Sequence, residues 1–348
     1  MQVVVHRICS STFSHRMEFL ISVLPVLLFL AALVLLDSYK LVTLRSIIVA
    51  ILFGVVSALA AWLVSLLLHG AIELDAGLYR RYGAPPLEEF LKSLYLLFLL
   101  RKGRVGFMVD AAIFGFAVGA GFSIVENVFY LQALSNSNLL VWIIRGFGTA
   151  LMHGGTTAIL AIISKTISDR TEAFDLRTFL PGYAIAVVIH SLYNHFLFSA
   201  VLSTVLILVI LPVAMTLVFQ QSEHFLRRWL RVGFDTDQEL LTVLTSGSLG
   251  ESPVGAYVQS LQERFSPEAV VDMICYLRLH LELTIQAKGI LLMREAGFEV
   301  PPAPDAQEKF AELHSLMKSI GQTGRLAILP FLHTSGRELW QLHMLKEK

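Results

Sequence analysis

The sequence predicts an all-α protein: a polytopic transmembrane helix bundle of about seven spans, followed by a soluble helical domain. Three observations carry this. Hydrophobic residues make up 55% of the chain and charged residues 16%, the balance of membrane proteins rather than of soluble enzymes. Apolar runs of about 18 residues or more recur before residue 220, long enough to cross a hydrocarbon core. From Gln221 onward the composition becomes that of a soluble helical chain. The formal net charge is zero, so electrostatics gives no reason to expect nucleic acid as a partner. Cys9 and Cys275 lie far apart and form neither a metal nor a disulfide pattern.

Residues 1–16 read as an N-terminal tail, with Met17 as an alternative start. The first span is Phe19 to Leu36; no small-residue cleavage site follows it, which argues against a signal peptide. The second is Ile47 to Leu68, closed by His69-Gly70 and followed by a loop carrying Glu73, Asp75, Arg80 and Arg81. The third helix, Leu87 to Leu100, opens behind Pro85-Pro86, which suit a first turn. It stops at Arg101-Lys102. It is only ~21 Å long against a hydrocarbon core of ~30 Å. With its basic end at one surface, Glu88 and Glu89 fall inside the bilayer, where charge is costly and is kept for function.

The fourth span, Phe107 to Leu131, contains Gly115 and Gly119, a spacing that lets helix backbones approach closely, and then Glu126-Asn127. A short uncharged loop, Ser135 to Asn138, leads to the fifth span, Leu139 to Ser164, with Arg145 and His153. Lys165 to Arg177 is a charged loop. The sixth span, Phe179 to Ser199, carries His190, Asn194 and His195. The seventh, Val201 to Phe219, has Pro212 and no charge, and reads as a lipid-facing or packing helix.

Basic residues cluster at 101–104, 165–177 and 227–231. By the positive-inside rule these mark the cytoplasmic side, leaving the amino end outside. The domains are therefore a tail (1–16), a transmembrane bundle (17–220) and a cytoplasmic helical domain (221–348). In the last, Ser266-Pro267-Glu268 reads as a helix start. Asp305 with Glu308 resembles a capping box, and Pro301, Pro302 and Pro304 separate two helices. No catalytic signature occurs there. The domain reads as a regulatory appendage, a surface for a cytoplasmic partner or for self-association.

The basic flanks serve as rulers of depth. Glu89 lies about 12 residues before Arg101, His153 about 12 before Lys165, and His190 about 13 after Arg177, so all three sit ~18–20 Å from one surface. Asn194 lies one turn beyond His190 on the same face. Phe122 lies on one face with Glu126, which this ruler puts about two turns above the histidines. His195 steps off the His190 face. Arg145 is expected to snorkel to the outer interface, and Asp110 to be interfacial.

Such a cluster suits peptide hydrolysis. A glutamate in low dielectric is a stronger base than one in water and takes a proton from it. Histidine shares that role or supports the oxyanion, and asparagine donates to it. The alternative is Zn²⁺ held by Glu89, His153 and His190 with a position open for water. Both schemes use the same residues, and there is no HExxH pair to speak for metal.

Glu88-Glu89-x-x-Lys92, then Phe114-Gly115-Phe116-Ala117, Gly121-Phe122, Glu126-Asn127 and Tyr130, then His153, then His190-x-x-x-Asn194 resemble the PrsW family of intramembrane proteases. That family is related to the CPBP/Abi group and the type II CAAX-prenyl endopeptidases. The resemblance covers roughly residues 40–200. It implies a bacterial plasma-membrane peptidase acting on a single-span membrane protein such as an anti-sigma factor. It further implies Glu88 and Glu89 as the catalytic pair, His153 and His190 as catalytic or metal-binding, and Asn194 as an assistant. Lys92, Phe122, Glu126 and Asn127 follow as secondary site residues. Lys92 matches this family rather than the prenyl endopeptidases, which disfavours a prenylated substrate. The competing classes are a non-enzymatic membrane scaffold or immunity-type protein, and a small-solute transporter. No repeat relates residues 17–100 to 107–220, as many transporters would require.

Overall fold

The computed structural model describes residues 2–71, 75–133, 138–171, 175–195, 197–246, 249–298, 300, 304–332, 340, 342 and 344–345, the side chains of 2–16, 70 and 71 excepted. Among these residues every regular element is helical. The chain divides into two compact units, Met1–Ser222 and Glu223–Lys348.

The first unit contains α1 (Gln2–Leu36), α2 (Leu44–Ala71), the single turn α3 (Ala76–Leu78), α4 (Ala84–Arg101), α5 (Met108–Ala133), α6 (Leu139–Ile144), α7 (Leu151–Thr171), α8 (Leu176–Asn194) and the start of α9 (Ala200–Thr245). Residues 2–16, read as a tail, continue the helix of the first span. Five described helices are long and apolar enough to cross a membrane: Met17–Leu36, Leu44–His69, Met108–Ala133, Leu139–Thr171 and Ala200–Thr245. The third and sixth expected spans form as α4 and α8 but fall short of that criterion, since they carry Glu88, Glu89 and Lys92, and His190 and Asn194. Glu73 and residues 135–137, called as loops, lie outside the described residues.

α5 is the axis of this unit. Nearly every residue from Val109 to Ser123 is buried, while α1, α2 and α9 turn Leu28, Leu52, Leu67 and Ile210 outward. Exposed apolar faces of that extent belong against lipid. The glycines let α5 touch α7 backbone to backbone. A methyl at Gly119 would stand 2.3 Å from the His153 carbonyl oxygen, and one at Gly115 2.6 Å from that of Thr157. This contact presses the His153 turn of α7 against the centre of α5.

Local chemistry sets the other helices. Pro85 and Pro86 occupy the first turn of α4, and Gly103, at φ 63°, closes its end in the left-handed conformation. Asp110 is buried, not interfacial: its Oδ2 accepts the amides of Gly106 and Phe107 at the start of α5. Asp175 caps α8 through the amides of Arg177 and Thr178. The residues from Lys165 to Thr171, expected as loop, extend α7, with Lys165 and Asp169 paired at 2.6 Å one turn apart. Two π-helical turns interrupt the bundle, at Tyr79–Gly83 before α4 and at Arg145–Ala150 between α6 and α7.

The second unit holds the remainder of α9 with α10 (Pro253–Leu261), α11 (Pro267–Glu295) and α12 (Ala306–Ile328). Met273, Leu277, Ile320 and Ile328 form its main core. Ser266 caps α11 by accepting the Ala269 amide, as the Ser-Pro-Glu start predicts. Asp305 makes no such cap on α12; its carboxylate pairs instead with Lys309 at 3.0 Å. Pro301 and Pro302 lie outside the described residues.

Candidate active site

Glu88 and Glu89 sit in the first turns of α4 and Lys92 one turn later. Neighbouring helical positions point about 100° apart, so the two carboxylates face different surroundings. Glu89 is fully buried and saturated. Lys92 Nζ donates to its Oε1 at 2.5 Å, His190 Nδ1 at 2.9 Å and Thr156 Oγ1 at 3.2 Å, while Thr157 Oγ1 donates to its Oε2 at 3.5 Å. Glu88 is partly exposed and lines a cavity of about 450 Å³. Its Oε2 lies 3.8 Å from His190 Nε2.

His153 joins the same cluster from α7. Its Nε2–H donates to Glu126 Oε2 at 2.8 Å, and its Nδ1 accepts from Lys92 Nζ at 3.2 Å. These partners define its tautomer. The His153 and His190 rings meet edge to face at 4.8 Å. Phe122 packs beside His153 at 5.1 Å and lies 4.8 Å from the Lys92 ammonium. Glu88, His153 and His190 each offer a donor atom within 4.8 Å of the others.

The residues that the depth ruler groups do lie together: Glu88 and Glu89 from α4, His153 from α7 and His190 from α8. Two positions differ. Glu126 is not two turns above the histidines but bonded to one of them, because a glutamate side chain reaches across the interhelical gap that an axial ruler ignores. Arg145 does not snorkel outward. It is buried, donating through Nε to Asn127 Oδ1 at 2.8 Å, with Nη2 3.4 Å from Glu126 Oε1. Asn127 in turn donates to the Ser22 carbonyl of α1 at 2.8 Å.

Asn194 lines the cavity, but its amide donates to the Arg80 carbonyl at 2.9 Å. With Ser191, which donates to the Arg81 carbonyl at 2.6 Å, it ties α8 to the π turn ahead of α4. His195 stands apart, against Tyr82. The clustered donor set contains Glu88 where the sequence reading put Glu89, since Glu89 is already committed to Lys92, His190 and the threonines. Thr156 and Thr157 were missed, although both fall one turn after His153 on its own helix face.

Residues 42–219 match the family model described as PrsW family intramembrane metalloprotease. No curated protein and no solved structure matches the chain.

Proposed function

The chain belongs to the PrsW family of intramembrane metalloproteases and is a multi-pass membrane peptide hydrolase; from that premise we propose that it cleaves a single-span membrane protein, such as an anti-sigma factor, at the cavity lined by Glu88, His153 and His190. The observation that carries the reading is the asymmetry between the two glutamates. Glu89 has its carboxylate filled by four neighbours, while Glu88 presents a partly exposed carboxylate to the cavity. Glu88 is therefore the base and Glu89 the group that orients His190.

The reaction balances on these residues. The water oxygen bonds to the scissile carbonyl carbon as its proton passes to Glu88, and the carbonyl oxygen takes up the electron pair. On collapse the C–N bond breaks and the departing amine takes the proton back from Glu88. Glu89 keeps the His190 Nδ1–H turned inward, which leaves the Nε2 lone pair facing Glu88. Lys92 neutralises the buried Glu89 and holds His153 through Nδ1.

The residues fit a divalent metal. Donors of a tetrahedral zinc site stand about 3.4 Å apart at metal–ligand distances near 2.1 Å, and Glu88 Oε2 and His190 Nε2 are 3.8 Å apart with both lone pairs free. His153 is the third residue of the set; its Nδ1 accepts from Lys92 and would join a metal only by giving up that contact. The opposite nitrogens of both rings rest on carboxylates, Glu89 and Glu126, the arrangement that orients metal-binding histidines. Bound there, a metal ion supplies Lewis-acid polarisation of the carbonyl and a more acidic water.

We further place α4 and α8 inside the bilayer as the third and sixth of seven spans, with residues 221–348 in the cytoplasm. The basic clusters at 101–104, 165–177 and 227–231 support that orientation. A reporter fused after Lys348 that works only in the cytoplasm is expected to be active.

The test is cleavage of a single-span reporter in membranes. Glu88→Gln is expected to lower the rate by about 10²- to 10⁴-fold at unchanged protein level. A parallel fall in protein level and rate would instead make the polar cluster a packing device.

A further inference from the structure

His153 is oriented by Glu126, but Glu126 is less completely packed than the groups around it. Its side chain is 26% exposed, against 1% for His153 and 0% for Lys92 and Glu89. A carboxylate with that freedom holds an imidazole only if something holds the carboxylate. The neighbour placed to do so is Arg145, whose Nη2 lies 3.4 Å from Glu126 Oε1, while Glu126 Oε2 accepts from His153. Arg145 is itself fixed on two further sides. Its Nε donates to Asn127 Oδ1, and its guanidinium lies 3.6 Å from the centre of the Tyr130 ring. Asn127 is anchored to the Ser22 carbonyl of α1.

The helix geometry supplies the reason Arg145 arrives there. It precedes His153 by eight residues, which in an unbroken α-helix puts the two side chains about 80° apart around the axis. The π-helical turn Arg145–Ala150 closes i to i+5 and so turns less per residue, bringing Arg145 back toward the His153 face. Both side chains then reach Glu126 on α5, from two levels of the α6–α7 column.

We infer that Arg145 is a positioning residue: with Asn127 behind it, Arg145 clamps Glu126, and Glu126 fixes His153 with its proton on Nε2 and its Nδ1 lone pair turned to the Lys92 side of the site. Its place in peptide hydrolysis rests on the function proposed above; its control of the His153 tautomer does not.

The experiment uses the full chain in detergent micelles, labelled with ¹⁵N-histidine, the His153 signal being identified by its disappearance in His153→Asn. In the wild type the signal is expected to report one tautomer, protonated at Nε2. In Arg145→Ala it is expected to move toward an averaged position, and free guanidinium is expected to restore it. On the reporter substrate, Arg145→Ala is expected to lose about 10- to 100-fold in kcat with KM within about twofold, and guanidinium is expected to return part of it. Arg145→Lys keeps the charge but not the fork that reaches Asn127 and Glu126 together, so it is expected to fall between the two; it serves alone if Arg145→Ala does not fold. An unchanged His153 signal in the folded variant overturns the inference. So does loss of thermal stability and rate together with no response to guanidinium. If the wild type fails to cleave the reporter, the proposed function falls while the tautomer comparison still decides the role of Arg145.

Discussion

Among the described residues, two buried lysine–carboxylate pairs are close copies of each other. In the first unit Lys92 Nζ lies 2.5 Å from Glu89 and 4.8 Å from the centre of the Phe122 ring. In the second unit Lys288 Nζ lies 2.7 Å from Asp237 and 5.0 Å from the centre of the Trp229 ring. All four charged side chains are almost completely buried. The pairs differ in what they are connected to. Glu89 also receives His190 and two threonine hydroxyls, Lys92 also reaches His153, and through these the pair borders a cavity. Asp237 and Lys288 link α9 to α11 within the second unit. A buried ion pair is thus no sign of chemistry by itself; connection to titratable neighbours and to a cavity is what separates the two.

The largest expected effect breaks the first pair. Glu89→Gln leaves the Lys92 ammonium without its counter-charge and releases His190, so cleavage is expected to drop by at least about 100-fold. Breaking a buried pair in this way also costs about 3–5 kcal/mol of stability. Asp237→Asn is expected to cost a similar about 3–5 kcal/mol, measured by thermal or denaturant unfolding. Its cleavage rate per folded molecule is expected to stay within about twofold, because Asp237 and Lys288 belong to the second unit and the cluster to the first. Paired replacements sharpen the contrast. Lys288→Met with Asp237→Leu removes both charges and is expected to regain most of the lost stability with full activity, as apolar substitutes for buried pairs do. Lys92→Met with Glu89→Leu is expected to fold and remain inactive. Activity in that second double variant would show the Lys92 pair to be as structural as its counterpart.

The next effect down acts on the backbone that carries His153. Gly119→Ala puts a methyl 2.3 Å from the His153 carbonyl oxygen, so one of the two helix backbones has to shift. Overpacking of this kind costs about 1–3 kcal/mol. Because the obstruction lies at the His153 turn, the rate is expected to fall further than the stability loss alone accounts for. A variant that unfolds earlier yet cleaves normally would detach the α5–α7 contact from the site.

How much of this was legible follows from what each residue's place depends on. Glu89, His153 and His190 were located because helical rise converts chain spacing directly into depth. Glu126 and Arg145 were misplaced because their contacts depend on quantities the spacing omits: side-chain reach across a gap, and the phase of a helix containing a π turn. Asp110 was read as interfacial from its position near basic residues, yet it caps α5 inside the bundle. α4 and α8 were recognised as helices from their apolar content, but the polar residues they bring to the cluster also keep them below the hydropathy of the other five. In the second unit the Ser266 cap was legible and the Asp305 cap was not, since Ser-Pro-Glu favours one local geometry while a carboxylate can turn to a nearby lysine.

That last difference yields the smallest prediction, on another lysine–carboxylate pair, one open to water. Ser266 Oγ accepts the Ala269 amide, so Ser266→Ala is expected to cost about 1 kcal/mol. Asp305 accepts no capping amide; its carboxyl is held below the ordinary 3.8 by hydrogen bonds from Lys309 and then Gln286. A depressed carboxyl stabilises the fold fully above its unfolded value and loses that contribution as pH falls through the folded one. With both side chains in solvent the pair is weak and screened by salt. Asp305→Ala is therefore expected to shift unfolding less than Ser266→Ala at pH 7, and the shift is expected to fade in high salt, or as the pH falls from 3.8 through the lower value of the folded carboxyl. A larger loss for Asp305→Ala, persisting in salt, would restore the capping role that its contacts argue against.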